Sequence, residues 1–423
     1  MKKLLNFLPP AITTNTFYQL LGKVFTTLAA VLTISIIARS LGPESLGTFT
    51  KATVFASLFY MLADFGFNAI FLKNNPDNER FKENYGNLMG VRIIAAIGLF
   101  LIATLVVLVL PFDPVKNSGF NQQAKIAAIL ANFTIITFAL FTTSNAYFQF
   151  KLRYDLSVAS SIFGSVTTII LVLIASQYFV NLNFYILASV VGSLVTTLVS
   201  LKFVFKFMDK FRPEFNFFKF KLLFNKTLPV GISLVLNLIY FRIDTILLSF
   251  FRPNFEVAVY GLAYKIFEFS LVAPTFFMNA TYPLLINFYQ NDKEKFKRLI
   301  LRSGIVLLLI SVLLSTLILI SANILVAIIG GEQLLASSVP LRILVAGLPF
   351  FFLSSLSTWL FLVFGKQKYL VPVYGFGAFL NLILNFIYIP KFGYNAAAVV
   401  TVFCEFAILF ATILILYKNR KTF

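Results

Sequence analysis

Apolar runs of about 20 residues, separated by short polar clusters, recur from one end of this chain to the other. Each is long enough to cross ~30 Å of hydrocarbon as a helix. Twelve such spans can be placed: 16–39, 47–72, 86–110, 123–149, 156–178, 183–206, 227–250, 256–288, 299–329, 336–364, 369–389 and 395–417. The eighth and ninth exceed one crossing, which predicts tilt, a kink or projection beyond the bilayer. Pro274, Pro283 and Pro349 fall inside the eighth and tenth spans. Each frees a backbone carbonyl, so each predicts a kink, fixed or flexing. Hydrocarbon offers the backbone no hydrogen-bond partner, so these segments must be helices. The expected fold class is an all-α polytopic membrane protein with about 12 transmembrane helices.

The largest basic interruption, "KFVFKFMDKFRPEFNFFKFKLLFNK" at 202–226, falls midway and leaves six spans on each side. It predicts an N-terminal six-helix lobe at 1–206, a basic cytoplasmic linker at 207–226 and a C-terminal six-helix lobe at 227–423. Six is even, so both halves enter the membrane in the same direction. A repeat between them is parallel, about an axis along the membrane normal. "RSLGPESLGTF" (39–49) and "FRPNFEVAVYGL" (251–262) carry Arg, Pro and Glu in the same order at corresponding junctions. Two turns that share helix breakers by chance would look the same.

The composition fits this class: 59% of the 423 residues are hydrophobic and only 12% charged, too few to clothe a soluble surface. A formal charge of +19 raises the question of nucleic acid, and its distribution answers it. Twenty-five of the 35 Lys and Arg fall on alternate connections and the two ends, seven on the other connections, and three inside spans. That asymmetry is the positive-inside pattern, and it predicts cytoplasmic N- and C-termini in a cell membrane. The charge then serves orientation and contact with anionic lipid. Met1-Lys2-Lys3 opens like a signal peptide, but no small-residue cleavage site follows, so it reads as a retained cytoplasmic end. One cysteine and no histidine exclude intrachain disulfides, histidine catalysis and histidine-ligated metals. Neither metal nor other cofactor is called for. The connections are too short for a soluble catalytic domain, and no phosphate-cradling glycine loop is present.

Polar residues inside the spans carry the candidate chemistry. Asn15, Gln19, Lys23 and Thr26 lie on one face of the first span at steps of four, four and three. Thr53, Ser57, Tyr60, Asp64 and Asn68 do so in the second span, and Thr142, Asn145 and Gln149 in the fourth. Ser233, Asn237, Tyr240 and Asp244 align in the seventh, Tyr374, Asn381, Asn385 and Tyr388 in the eleventh, and Thr401 with Glu405 in the twelfth. One stripe can be helix-packing glue. Stripes in both halves predict a shared hydrated cavity, lined by Gln19, Asn145, Gln149, Asn237, Asn381 and Asn385. A charge at the bilayer centre costs ~2.5–3.5 kcal/mol on the insertion scale, so each should face protein or water. Arg242 and Asp244, two apart, point to different sides of one helix and need separate partners. Lys265 and Glu268, three apart, can pair. Lys23, Arg242 and Lys265 can offer positive charge to an anion, Arg through its fork and Lys as a point charge. Asp64, Asp244, Glu268 and Glu405 are candidates to limit that charge or to bind a coupling cation or proton.

"IIARSLGPESLGTF" followed by "LADFG", "RIDTILLSFF" with "EVAVYGLAYKIFEF", and "NLILNFIYIPKFGYNAAAVVTVFCE" resemble a known family. It is the polysaccharide-flippase branch of the multidrug/oligosaccharidyl-lipid/polysaccharide (MOP) exporter superfamily, the Wzx-like flippases of O-antigen, capsule and teichoic-acid repeat units. The resemblance covers nearly the whole chain, through loose motifs at loops and helix ends. It implies two six-helix lobes around a central cavity that opens alternately to each side. In the flippase branch that cavity is cationic and accepts a sugar-pyrophosphate head while the polyprenyl tail stays in lipid. Lys23, Arg242 and Lys265 match that role by position. The implied function is translocation of a polyprenyl-pyrophosphate-linked oligosaccharide from the inner to the outer leaflet, driven by an ion gradient. The implied partners are that lipid-linked oligosaccharide, the bilayer, and the polysaccharide polymerase and glycosyltransferases of the same pathway. Lipid II flippases usually have fourteen spans, and twelve argue against that branch. The multidrug branch usually shows an acidic cavity; charges of both signs leave a small-cation or drug exporter as the alternative. A membrane enzyme of polysaccharide assembly is the third reading. Short outer loops, no histidine and no clustered catalytic set weigh against it, so the chain is expected not to be an enzyme.

Overall fold

In the computed structural model of the chain, residues 10–208 and 211–418 are described, with side chains from Tyr18 onward. Lys2, Lys3, Asp209, Lys210, Arg420 and Lys421, on which the charge reading and the linker draw, lie outside the described residues, as does the side chain of Asn15. The elements in order are α1 (Pro10–Asp64), α2 (Phe67–Asn74), α3 (Asn78–Val109), the short strands β1 (Phe112–Asp113) and β2 (Ser118–Gly119), α4 (Gln122–Phe150), α5 (Tyr154–Tyr178) and α6 (Leu182–Phe207). Then follow α7 (Phe217–Phe251), α8 (Asn254–Ser270), α9 (Val272–Asn291), α10 (Lys293–Gly330), a 3₁₀ turn (Glu332–Ser337), α11 (Ser338–Ala346), α12 (Leu348–Val363), a second 3₁₀ turn (Gln367–Tyr369) and α13 (Leu370–Lys418).

The protein is an all-α polytopic membrane protein. Among the described residues nine helices are long and apolar enough to cross a bilayer, ten if α11 and α12, bent by 42°, form one broken span. Two of these hold more than one crossing. α1 has 55 residues and α13 has 49, about 80 Å and 75 Å of helix at 1.5 Å per residue. Each is interrupted by a glycine outside helical geometry: Gly42 at φ 77° just before Pro43, and Gly393 at φ 61° just after Pro390 and Lys391. A positive φ suits glycine, and proline disfavours helix at the residue before it. Taking each arm as its own crossing returns the twelve spans of the sequence reading. The predicted kinks around proline fall two or three residues upstream of two of them. The chain breaks at Leu271, ahead of Pro274, and at Gly347, ahead of Pro349, while Pro283 continues inside α9.

The chain forms two compact units, one running to Asp113 and continuing over Gly119–Leu238, the other made of Pro114–Ser118 and Ile239–Phe423. Their division thus falls within α7. In the first unit α1 packs on α4 and α5, α4 on α3 and α6, and α5 on α6. The aromatic cluster of Phe71, Phe81, Tyr85, Tyr147 and Phe148 fills one end of it. Phe81 stacks on Phe150 at 4.3 Å between centroids. In the second unit α10 packs on α9, α11 and α12, and α13 on α8, α11 and α12.

Candidate functional site

Charged and amide side chains gather at three places, two in the second unit and one in the first. The first place joins α7 to α8. Arg242 donates to Glu268 Oε1 at 3.2 Å, and Lys265 donates to Glu268 Oε2 at 3.1 Å. The sequence spacing put Lys265 and Glu268 one turn apart; the fold adds Arg242 to the same carboxylate. All three side chains are partly exposed, at 27%, 30% and 36% for Arg242, Lys265 and Glu268. The Arg242 guanidinium also lies 5.8 Å from the centre of the Tyr264 ring, a cation–π distance. Two cations thus share one carboxylate here.

The second place is formed by α7, α8 and the two arms of α13. Asp244 is buried and accepts from the Tyr260 hydroxyl, from the Thr245 backbone N–H at 2.6 Å and from Thr401 Oγ1 at 3.3 Å. Those partners are neutral, and Arg242, two residues away, serves Glu268 instead. Glu405, also buried, accepts from the Tyr240 hydroxyl at 2.5 Å. Asn385 donates to Asn381 Oδ1 at 2.7 Å, and both amides are fully buried. The Cys404 thiol stands beside Asn381, and Asn385 Oδ1 meets no hydrogen-bond partner among the described residues. Buried polar atoms are normally paired, so this cluster of buried amides, carboxylates and tyrosines differs from apolar helix packing. Among the described residues no three His, Cys, Asp or Glu side chains converge as a metal would require.

The third place, in the first unit, corrects the sequence reading of one residue. Arg92 sits near the start of the third predicted span, 86–110, yet is counted among the 25 basic residues of the connections and ends. It lies inside α3 and is fully buried. Its guanidinium donates to Asp64 Oδ1 at 2.7 Å, to Asn68 Oδ1 at 2.8 Å and to Thr142 Oγ1. The chain bends between Asp64 and Asn68, where Phe65 (φ 40°) and Gly66 (φ 74°) separate α1 from α2. That bend lets residues from two helices meet one guanidinium. A sequence signal exists: Phe81, Tyr85, Leu88 and Arg92 follow steps of four, three and four, so Arg92 continues an apolar face.

The remaining candidates are more scattered. Gln19 and Lys23 are exposed on α1, in the first unit, whereas Arg242 and Lys265 belong to the second. Asn145 is half-buried and accepts from Ser157 at 2.6 Å. Gln149 on α4 and Asn237 on α7 are half-buried too.

A bundle of apolar helices that pairs charges within its spans defines a multi-pass membrane protein built to handle polar groups inside the bilayer. The chain belongs to the polysaccharide biosynthesis protein family, whose model matches residues 12–288. A second family model, MatE, matches residues 229–387, and together with the shared fold the two put the chain in the MOP superfamily of transporters. No curated protein is a significant match to the sequence. Among solved structures, the fold is similar to the lipid II flippase MurJ in its inward closed conformation, with a TM-score of 0.79 and 14% identity over 95% of this chain and 87% of that one. It is similar to an inward-facing multidrug resistance MATE family transporter of the MOP superfamily, with a TM-score of 0.76 and 16% identity over 94% and 95% of the two chains. A MOP superfamily transporter from Pyrococcus furiosus, described as having a binding pocket of reversed polarity, matches with a TM-score of 0.61 and 18% identity over 97% and 95%.

Proposed function

We propose that this protein flips a polyprenyl-pyrophosphate-linked oligosaccharide, a polysaccharide repeat unit, from the inner to the outer leaflet of the cell membrane by alternating access. The observation that carries the reading is the pairing of Arg242 and Lys265 with the single carboxylate of Glu268. Cations within a span are costly in hydrocarbon, and a pyrophosphate head would offset that cost through charge-assisted hydrogen bonds to both. Lys23 contributes to the same task from the first unit. Gln19, Asn145, Gln149, Asn237, Asn381 and Asn385 line the path of the sugars. The lobes 1–206 and 227–423, joined by the linker 207–226, are the parts that move. Asp244 and Glu405, each buried with neutral partners, are the better placed of the four carboxylates to take up a coupling cation or proton. Asp64 and Glu268 already hold cations. The basic connections and both termini face the cytoplasm, where the polymerase and glycosyltransferases of the pathway are further partners. Membership of a polysaccharide biosynthesis family supports this cargo over a chemical step catalysed by the chain itself.

The match of residues 229–387 to MatE favours a second reading, export of small cations or drugs. One assay separates the two. Proteoliposomes containing the protein are loaded with a labelled polyprenyl-pyrophosphate oligosaccharide, and its movement between leaflets is followed under an imposed ion gradient. We expect transport by the wild type, and rates reduced about tenfold to a hundredfold in Arg242→Ala and Lys265→Ala, as loss of a hydrogen bond to a charged group implies. Folded variants that transport normally would remove the residue assignment. A wild type that extrudes a cationic dye and leaves the lipid-linked sugar in place would overturn the flippase reading.

A further inference from the structure

A cavity of about 260 Å³ lies within the first unit, between the second arm of α1, α4 and α6. Thr53, Tyr60, Thr134, Ser189 and Ser193 bring hydroxyl side chains to its wall from all three helices, and Phe138 adds a ring. Among the described residues no charged side chain lines it. The nearest charges along α1 are engaged elsewhere: Lys51 donates to the Gly119 carbonyl at 2.9 Å, and Asp64 holds Arg92. Three of the hydroxyls spend their protons on their own helices. Thr53 donates to the Phe49 carbonyl at 2.8 Å, Thr134 to that of Ala131 at 2.7 Å and Ser189 to that of Tyr185 at 3.1 Å. Their oxygens keep lone pairs that can accept. Ser193 is hydrogen-bonded to Thr137, and Thr197 donates to the Thr137 carbonyl at 2.8 Å, so α4 and α6 are tied together beside the cavity. The Tyr60 and Phe138 rings pack at 4.3 Å between centroids. Small hydroxyl residues ordinarily let membrane helices close on one another. Here they leave a hollow, and its polar and aromatic lining is half-buried rather than sealed.

We propose that this cavity is a subsite for one uncharged sugar ring of the transported oligosaccharide, an inference that rests on the flippase reading. Four properties select that ligand. The lining is polar but carries no charge, so an ion would enter without a counter-charge and at high cost. The hydroxyl oxygens are acceptors, and a sugar ring offers hydroxyl donors on several sides. The Tyr60 and Phe138 rings present π-faces, whose negative charge suits the C–H face of a sugar. The volume lies just under the ~300–1,000 Å³ of pockets that take drug-sized ligands, so it admits a single ring and not a chain. A lipid tail would use the two rings and leave the converging hydroxyls without purpose. The site is separate from the Arg242–Glu268–Lys265 cluster that the pyrophosphate would use, so head and sugar can be tested apart.

The test is equilibrium binding to the full-length protein in detergent. The probes are radiolabelled polyprenyl pyrophosphate, bare or carrying glucose, galactose or N-acetylglucosamine. The wild type should bind at least one glycosylated carrier about tenfold more tightly than the bare one, as two net hydrogen bonds imply. Thr53→Val with Thr134→Val keeps the shape and removes two acceptor oxygens. It should lose most of that preference and keep its affinity for the bare carrier. Ser189→Leu with Ser193→Leu fills the hollow and should abolish the preference. Arg242→Ala should instead weaken the bare and glycosylated carriers alike. Valine and leucine variants that retain the tenfold preference would overturn the subsite, as would a wild type that binds all four carriers equally; in both cases the flippase reading stands. A wild type that binds none of them would overturn the flippase reading and the subsite with it. If the leucine variant fails to fold, the valine pair decides alone.

Discussion

Arg92 has no exposed side-chain surface, whereas its partner Asp64 is 32% exposed. That asymmetry makes the two halves of one ion pair unequal in consequence. Asp64→Asn leaves a buried guanidinium without counter-charge, and breaking a buried pair in this way costs about 3–5 kcal/mol. Arg92→Met leaves a carboxylate that water can reach and fills much of the vacated space, so it should cost less. Melting curves in detergent should therefore rank Asp64→Asn below Arg92→Met, and the reverse order would show that Asp64, not Arg92, is the buried partner. The same pair shows what one sequence discloses at this scale. Asp64 and Asn68 were legible, because their spacing places them on one face of one span. Arg92 was hidden, because it sits where a basic connection runs into an apolar helix and hydropathy alone cannot say on which side of that boundary a charge belongs. Arg242 and Asp244 were read correctly as needing separate partners, since that follows from helix geometry. The partners themselves, Glu268 for one and Tyr260 with Thr401 for the other, come from other helices and depend on the fold.

Spans were legible because length and apolarity are local properties that hydrocarbon enforces. The breaks within them were only half legible. Pro43 and Pro349 sit just behind the interruptions at Gly42 and Gly347, but nothing in the local sequence requires the bend at Phe65. There the Phe65 ring stacks on Phe224 at 5.5 Å and would meet a Cβ at Gly231 within 2.5 Å, so a contact with α7 holds the bend. α3 offers a test of how such contacts, rather than propensity, govern an element. Its residues Gly86 and Asn87 receive the backbone N–H groups of Glu214 and Asn216, at 3.0 and 2.9 Å, so the segment 212–216 lies along the helix. A Cβ on Gly90 would stand 2.0 Å from the Glu214 carbonyl oxygen, and backbone cannot swing aside as a side chain does. A Cβ on Gly98, two turns further along the same helix, meets nothing within 4 Å. Gly90→Ala should therefore lower the melting temperature by several degrees, as overpacking of ~1–3 kcal/mol implies. Gly98→Ala should leave it unchanged or raise it slightly, since alanine is the better helix former by up to ~1 kcal/mol. Equal effects at the two positions would mean that propensity, not the close approach of 212–216, decides the role of glycine in this helix.

Across the whole molecule, charge bias predicts how the bundle sits in its membrane. α5, the shortest uninterrupted span at 25 residues, is about 38 Å long, enough to cross the hydrocarbon and reach both interfaces. Its ends are unlike: Lys151 and Arg153 precede it, while Asn181 and Asn183 follow it. The same contrast repeats along the chain, and each cation held on the anionic cytoplasmic face adds about 1 kcal/mol of bias in one direction. With Arg92 inside α3, 24 cations still stand against seven, a bias that opposes a mixed orientation. Single cysteines can test this on a Cys404→Ala background, the native thiol being buried. Lys116→Cys and Lys391→Cys should react with an impermeant maleimide in intact cells, and Lys206→Cys and Lys366→Cys only after permeabilisation. The four positions sample both units, so the experiment also asks whether the halves share one orientation. A shared orientation is what an even number of spans in each half demands. Labelling of Lys116→Cys and Lys366→Cys from the same side would place an even number of crossings between them instead of seven, and the parallel repeat would fall with it.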